Sequence, residues 1–342
     1  YYGANGIQDY VDGYTHDGEF LLVAEDGAND LEDYPVNYVN GKIWVNNHAH
    51  VIQSKSDIAI NSFLMYAIKQ IKMNQFIVGG SRAKLNSEVM MSLPITIPDI
   101  KEQLFIGDYF QGIDNLITLH QRKYDALKTM KKTLLSKMFP KDVEDIPEIR
   151  FKEFTDAWEQ RMLPEFVEFY TGQTYTPADV QEFGTLVLRS SNIKNGEVID
   201  ADNVYINPEK ATAEQVRKGD IIIVVRNGSR SLIGKHAEIK ENMPNTVIGA
   251  FMTGVRSGQS SFLNALLETT QFEQEIEKNM GATINQITGY MFSKMSFMIS
   301  GENEQEAVGN YFKEIDNLIT LHQRKLEELK NMKKTLLQQM FV

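Results

Sequence analysis

The 342-residue sequence contains no cysteine. That excludes a disulfide framework, a thiolate metal site and a catalytic thiol. It has no long hydrophobic run either. The strongest, Ile221–Val225, is far short of a membrane span. No signal-peptide or transit-like segment is present, so a cytoplasmic protein without membrane contact is expected. There is no excess of positive charge. The formal net charge of −11 argues against a protein that simply coats nucleic acid. The charge is unevenly spread, however. Residues 1–38 carry nine acids and no Lys or Arg, whereas 217–240 carry six bases against two acids. An acidic chain with local basic stretches suits a recogniser that borrows charge from partners.

What the sequence does contain is a long internal repeat. Residues 109–139 and 311–341 match at 23 of 31 positions, at an offset of 202. Such self-similarity fixes the architecture before any single motif is weighed. In the first copy Ile113, Leu116, Ile117, Tyr124, Leu127, Met130, Leu134 and Met138 follow three-four spacing. This predicts an amphipathic helix of roughly 46 Å. The simplest partner for each copy is the other, in a coiled-coil-like pair. A seam requires only the apolar positions to match. Here Asp114, Asn115, His120 and Arg122 recur as Asp316, Asn317, His322 and Arg324. A repeated polar face predicts two copies of one partner docked at these eight residues, about an approximate two-fold axis.

The remainder reads as two β-rich domains. Residues 1–60 predict strands with Gly/Asn/Asp turns, Ile60–Met73 a helix, and 79–98 a loop, a short helix and a proline-closed strand. The second half repeats the scheme, with strands at Leu186–Leu188 and Ile221–Val225 and a helix over Ser260–Asn279. The expected organisation is a first domain over 1–107, a helix over 108–139, a linker over 140–150, a second domain over 151–308 and a second helix over 309–342. At the 202 offset the first domain lacks roughly 50 residues that the second has at its front.

The repeated IDNLITLHQRK and MKKTLL resemble the specificity subunit of a Type I restriction–modification system. So do PEIRFKEFTDAWEQRML at 147–163, the segment 174–209 and GDIIIVVRNGSRSLIGKHA at 219–237. The resemblance covers nearly the whole chain. It implies an α+β fold with two target-recognition domains separated by two long conserved helices that form an antiparallel coiled coil. It implies a non-catalytic chain that reads a bipartite, asymmetric target in double-stranded DNA. Two adenine-N6 methyltransferase (modification) subunits, and restriction subunits, are the implied partners. No cofactor is expected in this chain; S-adenosylmethionine, ATP and Mg²⁺ belong to those partners.

Candidate DNA contacts follow strands. Arg226, Asn227, Ser229, Arg230 and Ser231, then Lys235 and His236, come after the run at 221–225. Arg and Asn offer planar donors to guanine and adenine edges, while Lys and Ser more often hold phosphates. Arg189, Ser190, Ser191 and Asn192 follow another strand, with Tyr175 a weaker candidate. In the first domain the candidates are Asn47, His48, Arg82 and Lys84. His48-x-His50 lacks an evident third ligand for a metal. Two other readings remain: a scaffold without DNA readout, and a Mg²⁺-dependent nuclease using Asp220, Glu238 and Lys240.

Overall fold

The computed structural model describes residues 1–77, 84–141, 144–280 and 285–341. The fold is α+β, in two units: 1–124 with 321–342, and 125–320. Each unit holds one β-rich domain, the first part of one long helix and the last part of the other. No helix among the described residues is long and apolar enough to cross a membrane.

In the first unit strand β1 (His16–Ala24) lies between β2 (Val36–Ile43) and β3 (Ala49–Ile52), all antiparallel. Alternation along β1 sends Leu21 and Val23 into the main core and Leu22 into a smaller cluster on the other face. Helix α1 (Asn61–Lys69) is shorter than the predicted Ile60–Met73, which ends in a 3₁₀ turn at Met73–Gln75. A short helix α2 (Ser87–Met91) follows, as expected. The expected strand after it does not form: Leu93–Pro98 has no strand partner among the described residues. Pro94 and Pro98 have no amide hydrogen to give to a ladder.

The second unit has two four-stranded sheets. Their strands are β5 (Glu168–Thr171), β6 (Val180–Gln181), β7 (Thr185–Leu188), β8 (Val204–Ile206), β9 (Ile221–Val224), β10 (His236–Glu238), β11 (Thr246–Ile248) and β12 (Met252–Arg256). The orders are β10-β9-β12-β5, all antiparallel, and β11-β7-β8-β6, in which β11 and β7 are parallel. The isoleucine run of β9 serves two cores: Ile221 and Ile223 join one, Ile222 and Val224 the other. The predicted helix over Ser260–Asn279 is two helices, α4 (Ser260–Leu267) and α5 (Thr270–Asn279). Thr269 caps the second by accepting from the Phe272 amide, which breaks the run. Strand β13 (Ser296–Ile299), the counterpart of 94–97, does form, because β4 (Glu159–Met162) pairs with it.

The long helices are α3 (Ile100–Met138) and α6 (Glu302–Met340), 39 residues each. They begin ahead of the repeat as drawn at 108 and 309. Ahead of the repeat they carry three more matched pairs, Glu102/Glu304, Gln103/Gln305 and Gly107/Gly309. The seam runs through Ile106, Phe110, Ile113, Ile117, His120, Tyr124, Leu127, Lys131, Leu134 and Met138, a four-three repeat. Leu116 and Met130, expected on it, stand 46% and 41% exposed. The helices pair antiparallel in each unit. In the first, Phe341 packs against Phe63 and Phe110; in the second, Phe139 packs against Phe262 and Phe312.

Candidate nucleic-acid interface

Strands β7 and β11 are parallel, with Leu188 beside Ile248, so the loops after both leave the sheet at one edge. The loop after β9 joins them. Asn227 Nδ2 donates to Ser190 Oγ at 3.1 Å, and Lys235 Nζ donates to the Ser190 carbonyl at 3.2 Å. Two candidate groups that lie 37 residues apart in sequence are thus one surface.

Within it the side chains divide by role. Arg226, Ser229, Arg230, Ser231 and Ser191 are exposed. Asn227 Oδ1 accepts the Ser229 amide at 3.0 Å and shapes the loop. Ser229 and Ser231 share a hydroxyl hydrogen bond of 2.9 Å. Lys235 is half-buried, and burial pushes its ammonium pKa down. Arg189 turns back to Asp202, donating to its carboxylate at 2.7 Å. Asn192 is buried and structural: its Oδ1 accepts the Arg189 amide and its Nδ2 donates to the Ala201 carbonyl. His236 does not reach the loop surface. Its ring packs on Phe272, Nδ1 bonds the Gly234 carbonyl, and burial holds its pKa below the usual histidine range. Tyr175 packs against the Val187–Ile206–Val247 cluster, on another part of the domain.

The arginines of this unit separate sharply. Arg150, Arg161, Arg189, Arg217 and Arg256 are each paired with a carboxylate. Arg226 and Arg230 have no carboxylate partner among the described residues. In a chain of net charge −11, two free guanidiniums on one six-residue loop form an anion-seeking surface. Sequence reading missed Phe251 beside it. The Arg226 guanidinium lies 5.0 Å from the centre of that ring, which is 56% exposed. VIGAFMTGV reads as one apolar run, so nothing local marks Phe251 as a turn residue facing out.

In the first unit the candidates sit among acids. His48 Nδ1 is 2.6 Å from Asp26, and Lys84 Nζ is 2.8 Å from Glu25. Asn47 is exposed, and Arg82 lies outside the described residues. Carboxylates beside these groups disfavour phosphate, though they can accept from a cytosine amino group.

The three groups of the nuclease pattern do not converge. Asp220 is 1% exposed and saturated: it accepts from Tyr170 Oη, Arg256 Nε and Nη2, and the Arg217 amide. These bonds and its burial commit it to the domain interior. Lys240 pairs with Glu197, and Glu238 accepts from Ser260.

The repeated polar residues of the helices also divide. Lys333 meets Asp114 at 2.5 Å, and Lys131 meets Asp316 at 2.5 Å. These are one pair of positions exchanged by the 202 offset. His120 and His322 meet each other, Nδ1 to Nδ1 at 2.8 Å. Each of these histidines thus contacts its own repeat mate. Polar groups at seam positions fix register, which explains why these recur. The seam does not explain Asn115/Asn317 or Arg122/Arg324, which are exposed. Nor does it explain Leu116/Leu318 and Leu119/Leu321, which are 44% to 59% exposed.

Paired helices that each carry a β-rich domain, with a loop whose arginines lack carboxylate partners among the described residues, make up an α+β scaffold with an anion-seeking loop at strand ends. The chain belongs to the family of the Type I restriction modification DNA specificity domain, which matches residues 1–129 and 155–331. A putative type I restriction enzyme specificity subunit of Haemophilus influenzae is 47% identical over 103 residues, 30% of this chain and 26% of that protein. The MjaVIII specificity subunit of Methanocaldococcus jannaschii is 23% identical over 302 residues, 84% of this chain and 70% of that protein. The crystal structure of a Type I restriction–modification S subunit from M. genitalium shares the fold. Its TM-score is 0.73 at 14% identity, over 100% of this chain and 88% of that one.

Proposed function

We propose that this chain is a non-catalytic, cytoplasmic subunit that reads a split, asymmetric sequence in double-stranded DNA. It also scaffolds two adenine-N6 methyltransferase subunits, and restriction subunits, of a Type I restriction–modification complex. S-adenosylmethionine, ATP and Mg²⁺ serve those partners. The observation that carries DNA reading is the loop with Arg226 and Arg230, unpaired in an acidic chain. Arg226, Arg230, Ser229 and Ser191 face DNA in the second domain, with Asn227 and Lys235 supporting them. Asn47, His48, Arg82 and Lys84 are the contacts of the first domain. The observation that carries scaffolding is the outward face repeated at the 202 offset. Leu116, Leu119, Asn115 and Arg122, with mates Leu318, Leu321, Asn317 and Arg324, give two equal docking faces. An apolar centre with a polar rim suits a protein partner.

The test is the DNA methylation pattern of cells carrying the cognate modification subunit, with and without this chain. A chain-dependent N6-methyladenine mark at one split motif is expected. Arg226→Ala with Arg230→Ala is expected to relax or abolish one half of that motif while subunit assembly persists. An unchanged motif in that double variant would favour a scaffold without DNA readout in this loop.

A further inference from the structure

Resting on that reading of the loop, we infer that Arg226 and Phe251 form a single element that reads a guanine edge, with Phe251 determining specificity by positioning. The backbone makes the two residues one unit. The Phe251 carbonyl accepts both the Val225 amide at 2.9 Å and the Arg226 amide at 3.2 Å. The turn that bears Phe251 is itself tied down. The Gly249 amide donates to the Leu188 carbonyl, the Ala250 amide to the Gln173 carbonyl, and the Met252 amide to the Gly249 carbonyl. On the other side Arg226 bridges Gln286, and the Ile287 amide donates to the Val225 carbonyl at 2.8 Å. Arg226 therefore leaves a braced backbone.

Among the described residues its side chain is held by the ring below it. Arg150, Arg161, Arg189, Arg217 and Arg256 are instead oriented by carboxylates, which occupy their donors. A ring orients the guanidinium and leaves the five N–H donors free. Bidentate pairing with guanine O6 and N7 needs that planar fork at a defined angle. Phe251 is 56% exposed and Arg226 is exposed, so the stacked pair is open to a ligand. Arg230, on the same loop, has no ring beneath it among the described residues, so it suits phosphate, where orientation matters less.

The experiment uses the full chain assembled with its modification subunit and a pool of randomised duplexes, sequenced after selection. Arg226→Ala, Arg226→Lys and Phe251→Ala are each expected to lose preference at the same base pair, about tenfold or more. Phe251→Tyr retains it, because the ring is kept. Phe251→Leu loses it, because volume alone does not orient the fork. Affinity for unselected duplex and its salt dependence stay as in the parent for the three Phe251 variants and Arg226→Lys. Full discrimination in Phe251→Ala and Phe251→Leu, alongside loss in Arg226→Ala, would overturn the inference and leave DNA reading intact. Full discrimination in Arg226→Ala and Arg230→Ala would instead remove the reading on which the inference rests. A Phe251→Ala change confined to salt dependence or subunit assembly would also overturn it.

Discussion

In the first unit Gln103 of α3 is fully buried; its Oε1 accepts the Ile60 amide and its Nε2 donates to the Ile58 and Pro98 carbonyls. In the second unit Gln305 of α6 donates to the Ser300 carbonyl, the counterpart of Pro98. Gly107 lies against the start of α1, and Gly309 against the start of α4. Phe341 enters one core and Phe139 the other. The two domains differ in sheets and sequence, yet attach at the same helix positions by the same means. The helix contributes a glutamine for backbone groups, a glycine for close approach and a terminal phenylalanine for the core. Such contacts address backbone or generic apolar space, so either domain can change without changing the helix.

The attachments are not equally tight. In the second unit Glu304 is buried and holds Arg150 and the Trp158 indole, and Lys131 bridges both Asp316 and Glu268. In the first, Glu102 is exposed, and Lys333 has Asp114 as its carboxylate partner. The largest expected effect breaks this comparison at the aromatic plugs. Phe139→Ala removes a ring that is 3% exposed and should cost about 3–5 kcal/mol. Phe341→Ala removes a half-buried ring and should cost less. Urea unfolding with exchange measured separately for the two units would check this. Equal losses would mean the two attachments are equally strong.

The glycines give a smaller test. A Cβ on Gly309 would lie 2.5 Å from the Phe262 amide nitrogen, which cannot yield without moving α4. On Gly107 it would first meet the Ser62 hydroxyl, which can rotate. Gly309→Ala should therefore destabilise by about 1–3 kcal/mol and Gly107→Ala by less. Thermal melting of the two variants decides. A Gly107→Ala chain that melts lower than Gly309→Ala would reverse the order of the attachments.

The smallest effect is on pH dependence. His322 has its pKa lowered by burial, by His120 and by Lys123; His236, in the second unit, has its pKa lowered by burial. A histidine with a depressed folded pKa favours the neutral form. Its stabilisation is complete above the unfolded value near pH 6.5 and is lost as pH falls below it. Both units should therefore weaken on mild acidification. His322→Asn should flatten the dependence in the first unit and leave that of the second. Denaturant midpoints between about pH 5 and 8, followed by exchange in each unit, would show it. An unchanged slope in His322→Asn would remove the seam histidines from the account.

Much of this was legible in the sequence. The 202 offset predicts two long helices that pair, and the observed helices start at Ile100 and Glu302. Arg226-Asn227-Gly228-Ser229 after an apolar run predicts an exposed polar loop, and that loop is present. Other features escaped because they depend on partners distant in the chain. Leu116 and Ile117 both fit three-four spacing, and only the packed pair decides which one is buried. Residues 94–97 and 296–299 align, yet among the described residues only the second finds a strand to pair with.

The sequence by itself determined the α+β class, the duplicated helix and the place of the arginine loop. Periodicity, charge and repetition are local properties of a chain. Only the tertiary structure decided that Asp114, Asp316, His120 and His322 face across the helix pair while their identical neighbours face out. It alone brought Ser190, Asn227 and Phe251 to one edge, because a hydrogen bond or a ring contact between distant segments leaves no period to read.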